Sequence, residues 1–85
     1  MKAYQYIKIS SEAAMNTPSE VVYTDENFIV SKSLIPSTYT EAKVCFFIDT
    51  ENDSYGSVAS LEDAVERIKM VRNNVKREDF FKITC

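Results

Sequence analysis

The chain opens on a strict alternation. Over residues 2–9, Ala3, Gln5, Ile7 and Ile9 fall on one side, and Lys2, Tyr4, Tyr6 and Lys8 on the other. That period of two predicts a strand with one face toward a core and two tyrosines between lysines on the other. Residues 10–16 (SSEAAMN) read as one short helical turn begun by a serine. Thr17-Pro18-Ser19-Glu20 has the letters of a capping box, yet the β-branched run after it reads as strand. Residues 20–32 place the apolar runs VVYT and FIVSK around Asp25-Glu26-Asn27. With an asparagine suited to a left-handed conformation, this predicts a hairpin.

Residues 33–42 (SLIPSTYTEA) read as a connection interrupted by Pro36. Residues 43–49 are apolar on both faces, Val44/Phe46/Ile48 and Cys45/Phe47, which predicts a central strand covered on both sides. The main helix is expected over residues 60–75. Ser60 and Asp63 are spaced as a capping box, and acids precede bases along it as the macrodipole favours. Leu61, Ala64, Val65, Ile68, Val71 and Val75 form one apolar stripe, with Met70 opposite, and Asp63 and Arg67 stand as an i,i+4 pair. Asn73-Asn74 and the charged KRED end the helix, and residues 80–85 return as a last strand. The expected fold class is α+β: an antiparallel sheet of four to five strands with the C-terminal helix packed on one face. Its order along the chain is β-(short α)-β-β-β-α-β.

Length makes this one domain over residues 1–85, with a small core and a thin margin of stability. Hydrophobic residues at 45 % and charged residues at 27 % place the chain among globular proteins and not disordered tails. The start of the chain lacks the unbroken apolar segment of a signal peptide, and the longest apolar run, VCFFI, is too short to span a bilayer. No membrane association and a cytoplasmic location are therefore expected. Cys45 and Cys85 are too few for a disulfide framework or a structural zinc site. Both are expected to be reduced, Cys45 in the core and Cys85 at the terminus. In that setting the sequon Asn52-Asp53-Ser54 is not expected to be glycosylated.

Charge is modest in sum, −3, and lopsided along the chain. Residues 41–66 hold Glu41, Asp49, Glu51, Asp53, Glu62, Asp63 and Glu66 against Lys43 alone. Residues 67–85 hold Arg67, Lys69, Arg72, Lys76, Arg77 and Lys82 against Glu78 and Asp79. Nucleic-acid binding, which needs clustered cations to release counterions, is disfavoured overall and would fall to this basic C-terminal third.

The chemistry centres on DTENDSYGS. Asp49, Glu51 and Asp53 occupy the first, third and fifth positions of a calcium loop, but Ser54 stands where that loop needs glycine and Ser60 where it needs a bidentate glutamate. The segment therefore reads as a solvated strand-to-helix loop, not a metal site, and no cofactor is expected. The absence of histidine excludes Ser–His and Cys–His nucleophiles, and a single glycine excludes glycine-rich phosphate loops. Cys45, with no cation beside it in an apolar run, reads as an inert thiol. Tyr4 and Tyr6, joined by Tyr23, suit rigid anchors on a free sheet face. A base-stacking RNA platform would also need glycines and cations that are missing.

The expected function is a non-catalytic protein-binding module, an inhibitor or adaptor of the kind encoded by phages as accessory proteins. Its expected contacts with a basic partner surface are Asp49, Glu51, Asp53, Tyr55, Tyr4 and Tyr6. The charge polarity, and the basic edge of Lys69, Arg72 and Lys76, also make a homodimer an expectation. The alternatives are a nucleic-acid-binding domain and a small carboxylate- or metal-dependent enzyme.

Overall fold

The computed structural model describes residues 3–73. Along the chain the elements are β1 (Gln5–Lys8), α1 (Ser11–Asn16), β2 (Glu20–Asp25), β3 (Phe28–Pro36), β4 (Glu41–Asp49), β5 (Ser54–Val58) and α2 (Leu61–Arg72). The result is the expected α+β architecture, an antiparallel sheet of five strands with a C-terminal helix on one face. The sheet runs β1-β4-β3-β2. β3 pairs along the whole of β4, so β1 and β5 share the other edge end to end, β1 against Glu41–Val44 and β5 against residues 46–49.

Alternation along β4 divides the sheet into two faces. Ala42, Val44, Phe46 and Ile48 point to the helices; Glu41, Lys43, Cys45, Phe47 and Asp49 point the other way. α2 packs on β3, β4 and β5, and the core gathers Phe28, Val30, Ile48, Val58, Ala64 and Ile68. Each large side chain buried there contributes roughly 1.5–3 kcal/mol. The short α1 packs on β3 and β4 through Ala14, over the end of the same face that holds the buried Ala42 and Val44. Both helices start as the sequence indicates: Ser10 Oγ accepts from Ala13 N, and Ser60 Oγ from Asp63 N, each at 3.2 Å.

Several boundaries differ from expectation. β1 spans only Gln5–Lys8 of the expected residues 2–9, and its residues are all exposed, as suits a strand at an edge of the sheet. β3 runs on to Pro36 and β4 starts at Glu41. β2 pairs with β3 only as far as Lys32, so the end of β3 is an edge, where a proline is tolerated. Residues 54–58, expected as loop, form β5. The hairpin turn is at Glu26–Asn27, but Glu26, not the asparagine, takes the left-handed conformation, at φ 56°. On α2 the buried side is Ala64, Arg67 and Ile68; Leu61 is exposed and Met70 half-buried, so the helix is rotated toward Arg67 relative to the expected stripe. The end of the expected helix at Val75, the strand over 80–85 and Cys85 lie outside the described residues.

Two β-bulges set which face the tyrosines occupy. Val21 faces Ser31 and Tyr23 faces Val30, which leaves Val22 as an extra residue in β2. Phe47 faces Ser57 and Asp49 faces Ser54, so Tyr55 and Gly56 together oppose Ile48. An extra residue reverses the side-chain parity of the strand beyond it. Tyr23 and Tyr55 are thereby turned onto the helix face, where both pack against the core. The second bulge holds the chain's one glycine, Gly56, at φ 85°.

Candidate functional site

The face without helices is built from β3 and β4 outward. Pleating places Ile29, Ser31, Ser33 and Ile35 of β3 there, beside Asp49, Phe47, Cys45 and Lys43 of β4 in the same rows. Val21 of β2 and Tyr6 of β1 flank them, opposite Ser31 and Lys43. Among the described residues, four large apolar groups stand exposed on this one face: Val21 at 59 %, Tyr6 at 54 %, Ile29 at 41 % and Ile35 at 38 %. Small polar side chains fill its middle, with Ser19 and Ser33 bonded hydroxyl to hydroxyl at 2.6 Å. Among the described residues neither helix covers this face.

The acidic segment lies at one end of the face. Asp49 is half-buried at the last position of β4, while Glu51 and Asp53 are exposed in the β4–β5 loop. That loop is closed by its own backbone and one hydroxyl. Thr50 N donates to Asp53 O at 2.8 Å, and Asp53 N donates to Thr50 Oγ1 at 3.1 Å. Its carboxylates are left facing solvent, and among the described residues no three metal-ligating side chains come together.

The tyrosines separate. Tyr6 is exposed on the open face. Tyr4 is half-buried: its hydroxyl donates to Ser57 O at 3.3 Å, and Lys43 Nζ sits 4.4 Å from its ring centroid. Tyr4 thus clasps the junction where β1 and β5 meet along β4. Tyr55 is on the opposite face, its ring 5.9 Å from that of Phe28, because of the bulge at Gly56. The structure brings Asp49 and Tyr6 onto one face, sets Glu51 and Asp53 at its rim, uses Tyr4 as an internal tie and removes Tyr55 to the core side. Val21, Ile29 and Ile35 are not among the contacts expected from the sequence. The signal for them is the alternation Ile29-Ser31-Ser33-Ile35, which reading residues 33–42 as a connection obscures.

Cations are spread over both faces. Arg67 is 4 % exposed on α2 and its Nη1 donates to Tyr55 O at 3.1 Å. Burial pushes its guanidinium down from its usual range, against the pull of Tyr4 and Asp63 upward. Arg72, expected on a free basic edge, binds the β2–β3 turn instead, with Nη1 2.8 Å from Asp25 Oδ2 and Nη2 3.6 Å from Glu26 Oε2. Its bond to Asp25 holds it above the ordinary arginine range. Lys69 pairs with Glu66 at 3.5 Å, and Lys76 lies outside the described residues. Among the described residues, Lys43 and Lys8 are the cations of the open face, at the end away from Asp49, with Glu41 opposite Lys8. Cys45 also belongs to this face but is only 2 % exposed, and burial pushes its thiol up.

No helix among the described residues is long and apolar enough to cross a membrane. Comparison with protein-family models, with curated proteins and with solved structures gave no match to this chain.

Proposed function

We propose that the protein is a non-catalytic binding module, an inhibitor or adaptor acting in the cytoplasm, that presents the open sheet face to a partner protein. The observation that carries this reading is the set of exposed apolar groups, Val21, Ile29, Ile35 and Tyr6, aligned on one face of the sheet. Exposed apolar side chains scattered singly over a surface are ordinary, whereas several that share one sheet face of a small domain mark a contact surface. The carboxylates of Asp49, Glu51 and Asp53 at one rim suit a basic partner surface and steer its approach.

The experiment is a pull-down from an extract of the producing cells, with and without nuclease, read by mass spectrometry. Wild type is compared with Ile29→Ser/Ile35→Ser and with Asp49→Asn/Glu51→Gln/Asp53→Asn. A stoichiometric protein that survives nuclease and is lost from both variants supports the proposal. A catch that vanishes with nuclease, or is the same for all three baits, overturns it.

A further inference from the structure

We infer that the protein covering the open face is a second copy of this chain, stacked sheet on sheet about a two-fold axis. This rests on the reading of that face as a protein-binding surface and names its occupant: the basic surface met by the acidic rim is the chain's own.

Charge divides the face into two ends. Asp49 and Lys43 project from the same face of β4, six residues apart, about 20 Å along the strand at roughly 3.3 Å per residue. Lys8 adds to the basic end and Glu41 opposes it there, while Glu51 and Asp53 add to the acidic end. A two-fold axis lying between the sheets, across the strands, runs the second β4 antiparallel over the first. Each Asp49 then stands over the other copy's Lys43, twice per dimer. A face that is acidic at one end and basic at the other is complementary to itself in this orientation alone.

Shape agrees with the same axis. The row midway between Asp49 and Lys43 is the Lys32–Phe46 pair, which is also midway between Ile29 and Ile35 on β3. Rotation about that row sets Ile29 of one copy on Ile35 of the other. It also sets Phe47 over Cys45, and Tyr6 over Ser54, a large side chain above a small one each time. Aligned sheets stack in this way in β-sandwiches, turned by about 30° through their twist.

The area is sufficient. Four strand positions at about 4.8 Å and strands of nine residues give a face of roughly 550 Å², or about 1,100 Å² for two copies. Specific interfaces begin at about 1,000 Å², so the dimer belongs to the weak, concentration-dependent class.

The test uses wild type and a charge-swapped pair. Sedimentation velocity from micromolar to millimolar concentration should show a monomer–dimer equilibrium. A carbodiimide should join Asp49 to Lys43 or Lys8 between isotopically distinct copies. Asp49→Lys and Lys43→Asp should each weaken self-association about tenfold or more, and their equimolar mixture should restore it as a one-to-one dimer. Melting curves establish that both variants fold.

A wild type that stays monomeric at millimolar concentration overturns the homodimer, as does a mixture of folded variants that fails to associate. In either case a foreign protein captured by wild type and lost from Ile29→Ser/Ile35→Ser leaves the binding-module reading standing. If that double variant changes neither self-association nor capture, both readings fall.

Discussion

Arg67 Nη1 lies 3.1 Å from the carbonyl oxygen of Tyr55, across the only glycine in the chain. A Cβ at Gly56 would come 3.1 Å from that same nitrogen, and Gly56 is also held at φ 85°. Bulge, glycine and buried arginine therefore form one device. The glycine permits the left-handed backbone, the bulge swings Tyr55 onto Phe28, and the guanidinium bonds the exposed carbonyl. Tyr4 donates to the carbonyl of Ser57, so side chains take the carbonyls of two β5 residues that flank the glycine.

The device makes a quantitative prediction. Gly56→Ala should lower stability by about 1–2 kcal/mol through the left-handed φ alone. Arg67→Ala should cost about 1–3 kcal/mol through the lost charged hydrogen bond. Because the two share one site, the double variant should cost less than the sum. Urea denaturation of the four chains measures this, and strict additivity would show that the contact carries no coupling.

The features legible in the sequence are those that depend on period and caps. β4, the hairpin about residues 25–28, both serine caps and the α2 helix follow from local rules that the structure obeys. The bulges are not legible, since one extra residue leaves composition and local pattern unchanged while reversing which face every later side chain takes. Tyr23 sits on the opposite face from the expected one for that reason alone, and Tyr55, expected in a solvated loop, is carried by the second bulge onto the core side. Spacing alone makes Arg67 a partner of Asp63, since charge at i,i+4 is ordinary on a helix surface. Its burial depends on the space left by Gly56, in a strand that a single segment of helix cannot reveal. Edge position, which exposes β1, is a property of strand order, and the Val21–Ile29–Ile35 face is open because both helices pack on the other side of the sheet; neither can be counted off a single segment.

Ile68 tests the placement of the helix. It is among the largest fully buried side chains, and a carboxylate there would be cut off from solvent among apolar groups. Ile68→Asp should abolish cooperative folding, while Ile68→Val should cost only about 0.5–1.5 kcal/mol. Circular dichroism during thermal melting separates these outcomes. A folded Ile68→Asp would mean that α2 presents a different side to the sheet.

Tyr4 tests the junction of β1 and β5. Tyr4→Phe keeps the ring beneath Lys43 and removes only the hydroxyl bonded to Ser57. The expected loss is about 0.5–1.5 kcal/mol, concentrated in faster amide exchange of β1 and the end of β5. If exchange rises evenly over the whole sheet instead, Tyr4 supports the fold globally and is no local clasp.

Cys45 supplies a pH dependence of known sign. Burial raises its thiol pKa and Lys43 lowers it by less, so the folded state holds the proton to higher pH than the unfolded chain does. The folded form is therefore fully favoured below the unfolded thiol's pKa. That contribution is lost as pH rises from there through the folded pKa. The urea midpoint of a Cys85→Ser chain should fall with alkaline pH more steeply than that of Cys45→Ala/Cys85→Ser, the difference isolating this thiol from titrating tyrosines and lysines. At neutral pH a thiol reagent should modify Cys45 only as fast as the sheet opens, so the rate should level off with reagent concentration. A rate that climbs in proportion to reagent would mean that Cys45 is reached directly from the open face, by side-chain movement and without opening of the sheet.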